Sequence, residues 1–326
     1  MKKSVDVSKG YVDEKIDAGT DLRAEIARMK KEKRAVILAH YYTRPEVQDA
    51  ADFVGDSLAL SQKAAETDAE IILFAGVHFM AETAKILSPG KKVLMPDLTA
   101  GCSLADSCRA GEFERFLRDY PDHTVVSYVN TTVGVKALTD ITCTSSNAVR
   151  IVEALPAGEK IVFAPDRNLG NYIKSVTGRE DMVVWDGACH VHDRFSVEKI
   201  LELKKAHPGA KVLAHPECKK VVLMVADVVG STAALLDFCG RSEADEFIVV
   251  TEPGIIHQMR KADPGKTFIP VPPSDASCGC NDCAYMKQMT LEKIYLTLRY
   301  ELPEIVIDEA IRARAERSIR RMLEMS

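Results

Sequence analysis

The 326-residue chain carries nine cysteines, and six of them, Cys108 included, stand in three loops suited to ligand chemistry. The loops are LTAGCSLADSC with Cys102, WDGACHVHDRF with Cys189, and SDASCGCNDCAYM with Cys278, Cys280 and Cys283. Thiolates converging from three separate loops suit a soft, thiophilic centre, for which an iron–sulfur cluster or zinc fits best. Four thiolates would fill every iron of a [4Fe–4S] cluster. Three would leave one iron open, and an open iron can act as a Lewis acid on substrate oxygens. The C-x-C-x-x-C run is dense enough to bind zinc alone, but zinc usually takes four ligands. His190 and His192 flank this chemistry. His192 is a candidate fourth ligand or substrate contact, whereas His190 reads as structural. Cys143, Cys218 and Cys239 read as small core residues.

A second set of polar residues recurs with regular spacing. His40 and Tyr42, Tyr128 and Asn130, and His215 and Glu217 each follow a short β-branched apolar run. One reading is that they only satisfy loop backbone; placement at equivalent points of three repeats favours function. The copies differ chemically, which argues for one asymmetric site rather than three identical ones.

The elements that position these residues form a threefold repeat. The segments starting at Ala35, His123 and Ala210 align without gaps, and His40, Tyr128 and His215 are 88 and 87 positions apart. An aspartate follows twelve positions later (Asp52, Asp140, Asp227), and a hydroxyl five beyond that (Ser57, Ser145, Thr232). Self-similarity at this period means repeated structural units. Each unit continues with a strand (IILFAG near Ala75, KIVFAP near Ala164, FIVVTE near Thr251), a helical stretch and a further strand. This alternation predicts an α/β protein of three repeated α/β/α domains with parallel sheets, in pseudo-threefold arrangement around a central active site. The expected divisions are an N-terminal segment 1–20, repeats at 21–110, 111–197 and 198–300, and a C-terminal helix in 301–326. Ligands of open parallel sheets bind beyond the carboxyl ends of the strands, where the repeated polar residues fall. Ser57, Ser145 and Thr232 precede helical runs, so they are expected as N-caps and as marks of anion-binding helix starts. No strand is followed by GxxxxGK[ST] or GxGxxG.

Composition bounds the function. With 46% hydrophobic and 28% charged residues the chain is globular, and its net charge of −5 argues against nucleic-acid or membrane-surface partners. No apolar stretch is long enough to span a bilayer, and the N-terminus has no signal-peptide pattern, so the chain reads as cytoplasmic. In a reducing compartment the cysteines point to metal or redox chemistry rather than a disulfide framework.

These residues resemble the quinolinate synthase family, the [4Fe–4S] enzymes of de novo NAD biosynthesis. The resemblance runs from about Ala35 to the C-terminus. It is carried by AHYYTRPEVQDAADFVGDSL, FAGVHFMAETAKIL, YVNTT, TSSNA, HVHDRF, AHPEC and GST, with the cysteine loops in the family's order. It implies condensation of iminosuccinate with dihydroxyacetone phosphate to quinolinate, phosphate and water, and a functional link to an enzyme supplying iminosuccinate. It also implies cluster ligands at Cys102, Cys189 and Cys283. The last of these precedes the AYM segment in a loop that departs from the family pattern by two extra cysteines, Cys278 and Cys280, which could pair as a redox-labile disulfide. By the same resemblance the substrate contacts are His40, Tyr42, Ser57, Tyr128, Asn130, Ser145, His192, His215, Glu217 and Thr232. Proton transfers among imine, enamine and enol need groups near neutral pKa, which makes His40, His215, Glu217 and Tyr42 the expected acids and bases. Two other readings stay open at this stage: another [4Fe–4S] hydro-lyase acting on a small hydroxy acid, and a zinc- or redox-sensing protein built on the CGCNDC loop.

Overall fold

In the computed structural model, which describes residues 5–273 and 281–326, the three repeats each build one four-stranded parallel sheet. The first sheet holds β1 (Ala35–His40), β2 (Phe53–Gly55), β3 (Ile71–Ala75) and β4 (Lys92–Leu94). The second holds β5 (Thr124–Tyr128), β6 (Ile141–Cys143), β7 (Ile161–Ala164) and β8 (Val183–Val184). The third holds β9 (Lys211–Ala214), β10 (Val228–Val229), β11 (Glu246–Val250) and β12 (Thr267–Pro270). All three share the spatial order second–first–third–fourth strand. The expected α/β class and threefold repetition are therefore observed, with helices flanking each sheet.

The central strands are predominantly apolar because helices cover both of their faces. In the third sheet, Leu213, Phe247 and Val249 join the largest apolar cluster, which runs into the first repeat. Their neighbours Val212, Ala214, Ile248 and Val250 face a second cluster with Ile200 and Val222. This alternation is the period of a strand expressed as two packed faces.

The short second strand of each sheet is not visible in the apolar pattern, since it is only two or three residues long. The repeated aspartate sets it. Asp52 accepts the N–H of Ile37 at 2.8 Å through its carboxylate and returns its own N–H to the Ile37 carbonyl at 3.0 Å. Asp140 does the same with Val125, and Asp227 with Val212. The side chain thus continues the strand ladder by one rung and fixes where the edge strand begins.

In each sheet the chain steps from the first strand to one side and later to the other. The reversal lies between the first and third strands, the crevice in which such sheets bind ligands. The three crevices bring His40, Tyr128 and His215 to a common centre. Beyond the third sheet, helix Leu291–Tyr300 packs on helix Leu22–Glu32. The closing helix Glu309–Glu324 spans the first and second repeats, against helices His78–Leu87 and Val133–Lys136 and strand β6. Its buried Arg312 donates to the Ile86 carbonyl at 3.1 Å. Among the described residues, no helix is long and apolar enough to cross a membrane.

Candidate active site

One cavity at the meeting of the three sheets is lined by all the residues singled out above: His40, Tyr42, Ser57, Cys102, Tyr128, Asn130, Ser145, Cys189, His192, His215, Glu217, Thr232 and Cys283. Cys278 and Cys280 lie outside the described residues. Cys143, Cys218 and Cys239 are buried in the core, as expected.

The cysteine side of the cavity repeats one local device. Each of the three cysteines is followed by a tight helical turn whose backbone N–H groups point at its sulfur. Ala105 and Leu104 donate to Cys102, His192 to Cys189, and Met286 and Tyr285 to Cys283. Such N–H donors favour a thiolate. In the bare protein burial outweighs them, pushing the thiols of Cys102 up to about 12 and Cys283 up to about 11, and Cys189 well above its usual value. Three half-buried thiols, each with thiolate donors in place, fit a cationic thiophilic centre. A second donor group also exists. The ligand atoms of Cys189, His192 and Glu217 all lie within 4.8 Å of one another.

Two buried acids hold the cysteine loops. Asp166 accepts the N–H of Cys189 at 3.2 Å, and Glu252 accepts that of Cys283 at 3.2 Å. Glu252 is also paired with Lys287 at 2.7 Å, which in turn donates to the Tyr42 carbonyl at 2.8 Å. Burial raises both carboxyls, Asp166 well above its usual value and Glu252 to about 7, although Lys287 and backbone N–H groups pull Glu252 back. Neither acid was found in the sequence, because the pattern aligned Ala164 with Thr251. The sheet register instead pairs Ser127 with Ala164 and Ala214 with Val250, so the repeats match one residue earlier and Asp166 corresponds to Glu252. His190, which also lines the cavity, ties the first two loops together by a 2.6 Å contact of its Nδ1 with the Ser103 hydroxyl.

On the opposite side, His40 and His215 share one arrangement. The Nδ1 of His40 accepts the N–H of Tyr42 at 3.2 Å, and the Nδ1 of His215 accepts that of Glu217 at 3.4 Å. Each neutral ring therefore carries its proton on Nε2. The residues satisfy loop backbone and face the cavity at once, so both readings of this position hold. Burial lowers both imidazoles to about 3, with Lys287 adding to the effect at His40 and His192 and His40 at His215. Both rings are therefore neutral N–H donors, below the near-neutral range of an acid–base histidine. Burial also pushes the phenols of Tyr42 and Tyr128 well above their usual value.

Glu217 is the hub. One carboxylate oxygen accepts the Tyr128 hydroxyl at 2.6 Å and the other meets Nδ1 of His192 at 2.8 Å. Burial alone would raise its pKa; the facing His192, with the hydrogen bonds from His192 and Tyr128, outweighs it and holds the carboxyl below its ordinary range. His192 Nε2 meets the Thr251 hydroxyl at 2.9 Å, Thr251 meets Tyr42 at 2.8 Å, and Tyr42 meets Thr232 at 2.9 Å. Thr251 is a further residue that the sequence did not reveal. Its counterparts at the strand end, Gly76 and Pro165, have no hydroxyl, so repetition carries no signal for it.

The three repeated hydroxyls are not helix caps. Asp56 caps helix Ser57–Glu66 and Ser231 caps helix Thr232–Arg241, each through a side-chain oxygen, while Ser57 and Thr232 take the first helical position. Ser145 lies two residues before Asn147, the cap position of helix Ala148–Ala154. The caps fall one residue earlier or two later, which frees all three hydroxyls to face the cavity. Asn130 adds a buried Oδ1 with no hydrogen-bond partner. Among the described residues no lysine or arginine lines this cavity.

The model of the family described as quinolinate synthetase A protein matches residues 24–324. The chain belongs to that family. It is 58% identical over 306 residues to the quinolinate synthase of Thermosynechococcus vestitus, covering 94% of this chain and 96% of that one. The quinolinate synthase of Chloroherpeton thalassium is 55% identical over 306 residues, covering 94% and 95%. A relative of the same name from a Synechococcus species is 57% identical over 310 residues, covering 95% and 97%. The family match spans all three repeats and every element that lines the cavity.

Proposed function

We propose that the chain is a quinolinate synthase that condenses iminosuccinate with dihydroxyacetone phosphate, releasing quinolinate, phosphate and water. A [4Fe–4S] cluster would be held by Cys102, Cys189 and Cys283. The observation that carries this reading is the repeated turn behind those three cysteines, facing one cavity with His40, His215 and Glu217 on the other side. When bound, a cluster with three protein ligands supplies a Lewis-acidic iron.

The protein's own groups divide by charge and proton. His40 and His215 offer Nε2–H donors to substrate oxygens on which negative charge develops, the role of a neutral imidazole in a dry site. Glu217, ionised and hydrogen-bonded, is the proton acceptor, with Tyr42 beside it. Ser57, Ser145, Thr232 and the adjoining helix starts bind carboxylate and phosphate oxygens in place of cationic side chains. Tyr128, Asn130 and His192 orient the substrates. The divisions 21–110, 111–197 and 198–300 each enclose one complete sheet, which supports them as the three units that meet here. Seven unpaired cysteines among the described residues suit a reducing cytoplasm. The imine substrate hydrolyses in water, which supports a functional link to the enzyme that makes it.

A second reading rests on the Cys189, His192 and Glu217 triad, which has donor types suited to one zinc or iron ion. Both ring nitrogens of His192 are already engaged by Glu217 and Thr251, which favours the three-thiol reading. The deciding experiment is anaerobic purification with iron and sulfide analysis, followed by an assay of quinolinate against phosphate. About four irons and four sulfides per chain, with equal amounts of quinolinate and phosphate, support the cluster and the reaction. One metal ion per chain without sulfide supports the triad, and absence of quinolinate overturns the function.

A further inference from the structure

Lys136, the last residue of helix Val133–Lys136, is fully buried yet forms no ion pair among the described residues. Its ammonium donates to the carbonyl of Val129 at 2.8 Å and to that of Thr131. These carbonyls stand on either side of Asn130, which lines the cavity. The same ammonium lies 5.3 Å from the ring centre of Phe79, a second lining residue. Lys136 itself does not line the cavity, so its charge sits one layer behind the wall. Burial lowers the lysine to about 8, with Glu82 and then Cys102 opposing the fall, and it is a cation at neutral pH. Glu82 is itself engaged elsewhere: it accepts the Val133 N–H at 3.0 Å and lies 3.7 Å from Nδ1 of His78.

The repeat shows that this clamp does not require a charge. Where the second repeat has Lys136, the first has Gln48 and the third Leu223, at the same distance from Tyr128, His40 and His215. Gln48 Nε2 donates to the carbonyls of Tyr41 at 2.7 Å and Thr43 at 2.9 Å, the counterparts of Val129 and Thr131. A neutral amide thus braces the turn behind Tyr42 as the ammonium braces the turn behind Asn130. Burying an ammonium costs far more than burying an amide, so the charge answers to something beyond the turn. A second asymmetry supplies it. His40 Nδ1 accepts the N–H of Tyr42, and His215 Nδ1 that of Glu217. Tyr128 has no ring nitrogen, and among the described residues the N–H of Asn130 has no acceptor. The peptide joining Val129 to Asn130 therefore carries an ammonium on its carbonyl and a free N–H, a dipole strengthened toward an anion.

We propose that Lys136 is a positioning residue that supplies, from behind the wall, the positive charge holding one carboxylate or phosphate oxygen at Asn130. This gives the cavity a cation although no lysine or arginine lines it among the described residues. That the anion belongs to a substrate rests on the proposed function; the buried charge and its clamp stand without it.

The test uses Lys136→Gln, which copies the first repeat by keeping the clamp without the charge, and Lys136→Met, which removes both. The iron-replete full chain is titrated calorimetrically with succinate, with inorganic phosphate and with uncharged succinamide. Lys136→Gln should bind the anion roughly tenfold more weakly, the scale of one charge at this depth, with succinamide changed less than about twofold. Loss confined to succinate assigns the held oxygen to a carboxylate, and loss confined to phosphate assigns it to a phosphate; either supports the inference. Lys136→Met should bind anions no better than Lys136→Gln. Wild-type anion binding in Lys136→Gln overturns the inference, and a defect in Lys136→Met alone would leave the lysine as a brace of the turn. Equal weakening of succinamide overturns it as well, and so does a wild-type chain that binds neither anion. A Lys136→Gln chain that fails to fold would show that the turn itself requires the ammonium, which also overturns it. If the wild-type chain makes no quinolinate, the proposed function falls and the anion titrations still decide the role of Lys136.

Discussion

Asp166 and Glu252 occupy the same position in two repeats, two residues beyond the end of the third strand, and each accepts the backbone N–H of a cavity cysteine at 3.2 Å. Each carboxylate uses its second oxygen to brace its own loop. Asp166 caps its helix through Leu169 at 2.7 Å, and Glu252 accepts the N–H of Gly254 at 2.7 Å. Gly254 is required there, since a Cβ would come within 2.8 Å of the Tyr41 carbonyl and 2.9 Å of the Tyr42 Cα. The first repeat has Val77 at this place and no such clamp.

Two of the three cysteine loops therefore depend on a buried acid. Asp166→Asn and Glu252→Gln keep the size of the side chain but replace one acceptor oxygen by an N–H₂ donor. Each variant should hold its fold and lose metal faster, roughly tenfold in the rate of bleaching by a chelator, the worth of one charge-assisted hydrogen bond. The rate of decay of visible absorbance with added chelator checks this. Bleaching at the wild-type rate in both variants would leave the acids with only a packing role.

Serine at Cys102, Cys189 or Cys283 should abolish the iron content and the activity together. Serine at Cys278 or Cys280 should leave iron bound. Iron and sulfide analysis of the five variants separates ligands from bystanders. A full cluster in Cys283→Ser, with loss in Cys278→Ser, would move the third ligand along the loop.

How far the sequence carried this far depended on what repeats. Apolar runs and the recurring His/Tyr, Asp and hydroxyl positions marked the three sheets and most of the cavity-lining residues proposed, because period and residue type were visible together; His192 and the choice of Cys283 came from the cysteine loops and the family resemblance instead. The second strands were illegible, since Val228–Val229 is too short for a periodic pattern and is set by a side-chain contact of Asp227. The caps were misplaced because Asp56 and Ser231 stand next to hydroxyls that are equally good cap residues. Asp166 and Glu252 were hidden by a one-residue shift that only hydrogen-bond register reveals, and Thr251 by having no counterpart. Burial, which moves His40 and His215 far from neutrality, is a property of the closed cavity and leaves no mark on residue spacing.

Glu217→Gln should keep the cluster and lose roughly 10²–10⁴-fold in turnover, the usual worth of a positioned proton-transfer group. The amide is nearly isosteric, so substrate binding should change far less than rate. Steady-state kinetics on iron-replete protein checks this, and near-normal turnover would remove Glu217 from the proton-transfer steps.

Acid stability follows from the buried histidines. His40 binds its proton at about 3 in the folded chain and at 6.5 when free, so between those values the unfolded state holds more protons. Stability from this source is complete above pH 6.5 and falls as the pH drops below it. From pH 6.5 to roughly 4.5 the loss approaches 2–3 kcal/mol for this residue. His40→Asn should flatten the slope by that amount in denaturant titrations across the same range. An unchanged slope would show that His40 is solvated or paired in the folded protein.

An acidic protein has three anionic groups to hold in a cavity that no lysine or arginine lines among the described residues. Ser57 and Thr232 occupy the first helical position, and their helices keep the caps supplied by Asp56 and Ser231. Alanine at either residue therefore leaves the helix start intact and removes only the hydroxyl facing the cavity. Substrate binding should weaken by up to about tenfold, from a contact worth roughly 0.3–2 kcal/mol, while stability and the cluster spectrum stay near wild type. Thr232→Ala also frees the Tyr42 oxygen, and Ser145→Ala removes the partner of His215 Nε2, so these two should lower kcat as well as binding. The three variants should differ in target, some raising KM for the triose and others that for iminosuccinate. Asp56→Ala is the contrasting control, because it removes a true cap and should cost about 0.5–2 kcal/mol of stability. Normal KM for both substrates in all three hydroxyl variants would mean that the anions are held by backbone N–H groups and by His40 and His215 alone.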